Sequence, residues 1–68
     1  MMEKYIELNA FIKINALAST GGQAKLLIRS GAIKVNGETE TRNGRKLKVN
    51  DKVEYQGKTY NVMETQVR

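Results

Sequence analysis

Hydrophobic and polar positions recur along this chain with two different periods, and the change from one to the other divides it. Tyr5-Ile6-Glu7-Leu8 alternates as a short half-buried strand does. Asn9 stands where a helix cap belongs, which predicts a helix from Ala10 with Phe11, Ile12, Ile14 and Leu17 as its apolar stripe, Lys13 on the solvated side and a fade by Ser19. Thr20 followed three residues later by Gln23 fits a capping box. The hydroxyl accepts from an early helix amide and the Gln side chain reaches back to the cap, so a second helix starts there. Ala24, Leu27 and Ile28 recur at i, i+3 and i+4 and face the core, whereas Lys25 and Arg29, four apart, share a different face. Gly31 supplies the left-handed residue that ends many helices.

After Gly31 the period drops to two. Ile33 and Val35 alternate with Ala32 and Lys34, and Asn36-Gly37 is the strongest hairpin signal in the chain, with Glu38 to Thr41 returning as the antiparallel partner. Asn43-Gly44 is a turn, Leu47 and Val49 a brief strand, and Asn50-Asp51 a turn again. Val53 and Tyr55 form a strand, Gln56-Gly57 a turn, and Tyr60 and Val62 another strand. No internal repeat, low-complexity tract or linker interrupts the pattern. The expected class is α+β, two helices packed on a small, mostly antiparallel sheet of about four to five short strands. A single domain is expected over residues 1–68, with its core at about 5–63.

Size limits what such a fold can do. A chain of 68 residues buries only about 60% of the surface its unfolded form exposes. Leu, Ile, Val and Phe make up 16 of the 68 residues, above the roughly 20% below which a highly charged chain tends to disorder, so folding is expected with a thin margin. The absence of Cys and His removes disulfides, the usual zinc-ligand sets and the commonest general base, and no cofactor is expected. The Ser and Thr residues have no evident base beside them, the acids form no recognisable carboxylate pair, and Gly21-Gly22 lacks the spacing and terminal Lys-Ser/Thr of a nucleotide P-loop. Neither an enzyme nor a small-molecule substrate is therefore expected. No apolar stretch approaches the roughly 20 residues of a membrane span, and Met-Met-Glu-Lys-Tyr lacks the apolar core of a signal peptide, so a cytoplasmic protein without a membrane role is the expectation.

Charge adds a direction. Twelve Lys and Arg against seven Asp and Glu give +5 and a pI near 9.8, a balance that favours polyanions. Its distribution matters more. From Gly21 to Gly37 the cations are Lys25, Arg29 and Lys34 with no acid among them; from Thr41 to Asn50 they are Arg42, Arg45, Lys46 and Lys48, again with none. Glu3 and Glu7 lie before these stretches, Glu38 and Glu40 between them, and Asp51, Glu54 and Glu64 after. A helix N-terminus presents unpaired N–H groups and partial positive charge, and Gly21 and Gly22 let a phosphate approach its backbone closely. Lys25, Arg29 and Lys34 would extend that into a cationic track, and the Arg42 to Lys48 loop would add a second arm reaching several phosphates. A glycine-relaxed turn, a solvated helix face and a solubilising loop account for the same residues. Tyr5, Phe11, Tyr55 and Tyr60 fall at packing positions, and no aromatic pair forms a stacking platform for bases.

Leu8, Phe11 and Ile12, then Ala24, Leu27, Ile28 and Gly31, then Ile33-Lys34-Val35-Asn36-Gly37 and Val49-Asn50-Asp51-Lys52-Val53, resemble in order and spacing the S4-type RNA-binding domain. The resemblance runs from about Tyr5 to Val62. Thr20-Gly21-Gly22-Gln23-Ala24-Lys25 together with Val35-Asn36-Gly37-Glu38 and Arg42-Asn43-Gly44-Arg45-Lys46-Leu47 is similar to the small stand-alone bacterial members. It implies an α-L fold whose basic surface grips structured RNA, often ribosomal. Carried over, the RNA-binding positions are Gly21, Gly22, Gln23, Lys25, Arg29, Lys34, Arg42, Arg45, Lys46 and Lys48. Many family members begin helix two with Ser-Arg, where this chain has Thr20-Gly21; the resemblance then implies either that the backbone amides at Gly21 and Gly22 take over that arginine's phosphate or that RNA affinity is weaker and rests on Arg42, Arg45 and Lys46. The expected partner is RNA, ribosomal RNA or a ribosomal particle, bound by a monomer. The competing expectation is a protein-interaction adaptor that docks on an acidic partner and has kept the fold without the RNA role.

Overall fold

The computed structural model describes residues 4–68; the Met1 to Glu3 start, with its acid Glu3, lies outside the described residues. The order of elements is β1 (Ile6–Glu7), α1 (Leu8–Ile14), α2 (Gly21–Arg29), β2 (Ile33–Val35), β3 (Glu38–Thr39), β4 (Lys46–Leu47), β5 (Lys52–Tyr55) and β6 (Lys58–Asn61), then a 3-10 turn over Glu64–Gln66. All strand pairing is antiparallel. β1 and β4 form a two-stranded ribbon, and a four-stranded sheet runs β3-β2-β5-β6.

The first helix departs from its sequence pattern at both ends. It begins at Leu8 rather than Ala10, and Glu7 supplies no side-chain cap. Its first N–H groups are instead satisfied from far along the chain: Leu8 N–H donates to the Arg45 carbonyl at 2.8 Å and Asn9 N–H to the Asn43 carbonyl at 3.1 Å. Asn9 is therefore inside the helix, its Oδ1 accepting from the Ala10 N–H at 2.8 Å. The helix stops at Ile14, and Ala16 turns the chain with φ 59°. Leu8, Phe11 and Ile12 enter the core, while Ile14 is 57% exposed instead of completing the stripe.

The second helix starts and stops where its residues indicate. Thr20 Oγ1 accepts from the Gln23 N–H at 3.1 Å. The reciprocal arm is shifted by one residue, because Gln23 Oε1 accepts from the N–H and hydroxyl of Ser19 at 3.0 and 2.6 Å rather than from Thr20. Gly31 has φ +83°, a conformation that strains any side chain with a Cβ, and its N–H donates to the Ile28 carbonyl. α1 and α2 pack on each other, and Ala24 and Ile28 are fully buried.

Ile33 and Val35 point inward from β2, pairing with Tyr55 and Val53 of β5, and Val53 pairs in turn with Tyr60 of β6. Asn36 (φ 52°) and Gly37 (φ +87°) make the β2–β3 turn, and Gln56 (φ 52°) with Gly57 (φ +77°) the β5–β6 turn; positive φ at both central residues matches the right-handed strand twist. β4 ends at Leu47, and Val49, expected in that strand, is 39% exposed. Past the expected core limit at residue 63, Val67 is buried, and Tyr5 and Arg68 exchange backbone hydrogen bonds at 3.1 and 3.0 Å.

Candidate nucleic-acid interface

α2 presents a face with no acid on it. Gly21, Gly22, Gln23, Lys25 and Arg29 are all exposed, while Ala24 and Ile28 are turned into the core. The earliest intrahelical donation is from the Ala24 N–H to the Thr20 carbonyl, and the Gln23 N–H is taken by the Thr20 hydroxyl. The N–H groups of Gly21 and Gly22 thus precede the helical ladder, at the positive end of the helix dipole. Packing does not require either glycine. A Cβ at Gly21 would meet nothing within 4 Å, and one at Gly22 only the Thr20 hydroxyl at 4.0 Å. Two glycines in a first turn lower helix propensity, so their presence in open space is unexplained by the fold itself.

The Arg42 to Lys48 loop is built into the fold at three points. It caps α1 through the Asn43 and Arg45 carbonyls, and it pairs with β1 through Lys46 and Leu47. The third point is Glu40, which is buried at 6% exposure. Its carboxylate accepts from the Arg42 N–H, Nε and Nη2 at 3.0 Å each and from Arg45 Nη1 at 2.8 Å. Hydrogen bonds from Arg42 first, then Arg45, hold the Glu40 carboxyl far below the usual carboxylate range, with burial acting in the opposite direction. The Arg42 side chain nevertheless stays 74% exposed, and that of Arg45 28% exposed. Glu40 therefore fixes both guanidinium groups while leaving Arg42 open to solvent. The loop also starts beside the end of α2, since Thr39 Cγ2 lies 3.7 Å from where a Cβ on Gly31 would stand.

The other cations differ in setting. Lys46 Nζ sits 4.8 Å from the centroid of the half-buried Tyr5 ring, a cation–π contact that orients it on β4. Lys48 is exposed, and its N–H donates to Asp51 Oδ2 at 2.8 Å in the turn that follows. Lys34 is exposed on the solvated face of β2, opposite to Ile33 and Val35, with Thr39 and Glu54 directly across from it on the neighbouring strands. Lys25 and Arg29 lie on α2, which carries no acid, whereas Lys34 has Glu54 across from it in the strand register.

In the sequence Glu40 stands out only as an acid between two basic stretches, whereas in the fold it is buried and holds Arg42 and Arg45. Its spacing of two and five residues from Arg42 and Arg45 was the available signal. Asn36 is structural as its turn propensity suggests: its amide donates to Asp51 Oδ1 at 3.2 Å and accepts from the Lys52 N–H at 3.0 Å, which ties the β2–β3 turn to the start of β5. Among the described residues, no cluster of acids resembles a metal site and no helix is long and apolar enough to cross a membrane.

Comparison with known proteins adds two findings. The family model for the S4 domain matches residues 1–63. A protein of Bacillus subtilis (strain 168) named as a probable ribosome maturation protein, RlbA, is 40% identical over 52 residues, a stretch covering 76% of this chain and 73% of that relative.

Proposed function

The chain belongs to the S4 domain family, and from that premise we propose that it is a non-enzymatic RNA-binding protein that recognises structured RNA, ribosomal RNA in particular, through the cationic face of α2 and the Arg42 to Lys48 loop. The observation that supports this most is the buried Glu40, which braces Arg42 and Arg45 in fixed positions at the surface. A loop whose only task is solubility needs no such brace. Ribosomal RNA is favoured over other structured RNA by the 40% identical relative, whose name ties it to ribosome maturation.

Binding would proceed through phosphates more than bases. Gly21 and Gly22 offer backbone donors with no side chain in the way, Gln23 flanks them, and Lys25 and Arg29 continue along the helix. Arg42, Arg45, Lys46 and Lys48 supply the second arm, with Lys34 contributing from the sheet face beyond it. Such a surface reads the spacing of phosphates in a folded RNA. Crosslinking in cells followed by sequencing of the bound RNA tests this directly. Enrichment of ribosomal RNA at discrete positions is expected; recovery of a protein partner with RNA no higher than in an uncrosslinked control would overturn the proposal in favour of an adaptor role.

A further inference from the structure

One apolar side chain stands on the exposed side of α2, bordering its two cations. Leu26 is 72% exposed, the most exposed large hydrophobic residue among those described. It lies two positions from both Ala24 and Ile28, the two fully buried residues of α2. At about 100° per residue it therefore points almost directly away from the core. Its neighbours on the surface one turn away are Gly22 on the N-terminal side and Arg29 on the C-terminal side, and Lys25 adjoins it. Most of this leucine side chain is left in water, which is a poor partner for it.

We infer that Leu26 is an apolar contact residue for RNA, packing against the ribose or the face of an unpaired nucleotide whose flanking phosphates are held by Lys25 and Arg29. The inference rests on the RNA-binding reading above and adds a residue and a target chemistry to it. Charge decides the occupant. α2 carries two cations and no acid, so a polyanion with apolar patches between its charges fits the face. A nucleotide chain is such a ligand, with phosphates separated by sugar C–H groups and base faces. Gly22 completes the geometry, because the missing side chain one turn before Leu26 leaves room for the strand to lie on the helix, with nothing but the Thr20 hydroxyl within 4.0 Å of the vacant Cβ position.

The test compares the full chain with Leu26→Gln, which replaces the apolar end by an amide at similar helix propensity, on a labelled RNA hairpin carrying an internal unpaired loop. Affinity is measured across a salt series, and Lys25→Gln/Arg29→Gln serves as the electrostatic control. The expected result for Leu26→Gln is a five- to tenfold weaker affinity at each salt concentration, with an unchanged salt slope and an unchanged melting temperature. The loss corresponds roughly to withdrawing most of one leucine side chain from water, and an apolar contact releases no counterions. The control should flatten the slope by about 1.4 to 1.8, two phosphate contacts at 0.7 to 0.9 each. Affinity for Leu26→Gln within twofold of the parent would overturn the inference. If the control still flattens the slope in that case, the RNA-binding reading stands without it; a parent chain that does not bind the hairpin sinks that reading itself. Unchanged RNA affinity with loss of a protein partner would assign Leu26 to a protein contact instead.

Discussion

Replacing Glu40 by Ala adds net positive charge, from +5 to +6, and on charge alone should tighten binding to any RNA. The bracing described above leads to the opposite expectation. Glu40 accepts four hydrogen bonds, three from Arg42 and one from Arg45, at 2.8 to 3.0 Å. The two from the Arg42 side chain count for little, because that side chain is 74% exposed and recovers water when released. The remaining contributions are the backbone N–H of Arg42 and the Arg45 guanidinium, whose side chain is only 28% exposed. Bonds to a charged acceptor contribute about 1.5 to 3 kcal/mol when buried. The carboxylate lies near the surface of a small domain, so a net loss of about 2 kcal/mol is expected. For a domain of this size that is a fall of roughly 8 to 16 °C in melting temperature.

The pH dependence follows with its sign. The folded carboxyl is held below its ordinary value, so it contributes stability that is fully present above the unfolded value of about 4.3. That contribution is lost progressively as pH falls below about 5 toward the folded value, far under the usual carboxylate range, so the gap between parent and Glu40→Ala is constant above about pH 5 and narrows steadily below it. Thermal unfolding followed by circular dichroism at several pH values measures the gap, and RNA affinity is read at a temperature where both proteins are folded. A gap under about 2 °C, a gap that does not change with pH, or tighter RNA binding by Glu40→Ala would each show that Glu40 does not brace the loop.

Two further substitutions separate fold from function. Gly22→Ala has open space for its methyl group and should raise stability by up to about 1 kcal/mol, while weakening RNA affinity if a strand lies against that backbone; a rise in both melting temperature and affinity would show the glycine has no binding role. Gly31→Val places a β-branched residue at φ +83° and should cost about 1 to 3 kcal/mol, read as a lower denaturation midpoint with unchanged denaturant dependence.

Features fixed by neighbouring residues were legible in the sequence. The Thr20 hydroxyl on the Gln23 amide, the left-handed Gly31, the inward Ile33 and Val35 and the Asn36-Gly37 turn are all local chemistry, and the structure contains each of them. What was hidden is what the chain brings together from a distance. α1 starts two residues early because the Asn43 and Arg45 carbonyls, more than thirty positions later, satisfy its first amides. The same docking draws Leu8 inward as part of the core. Val67 is buried, with the backbone of Arg68 paired to that of Tyr5, and no local pattern announces that return. In the site, periodicity separated Lys25 and Arg29 from the core but overlooked Leu26, which the same helical wheel places outermost. Linear charge counting also could not show that the fold sets Lys34 across from Glu54 on the neighbouring strand.

A surface that holds the phosphates of a folded RNA must release counterions on binding, so its affinity has to depend steeply on salt. With roughly four to six phosphate contacts, log K for the full chain on a ribosomal RNA fragment should fall against log salt with a slope of about −3 to −5. A slope near zero, or equal binding by a chain carrying Lys25→Gln, Arg29→Gln and Lys46→Gln together, would contradict it.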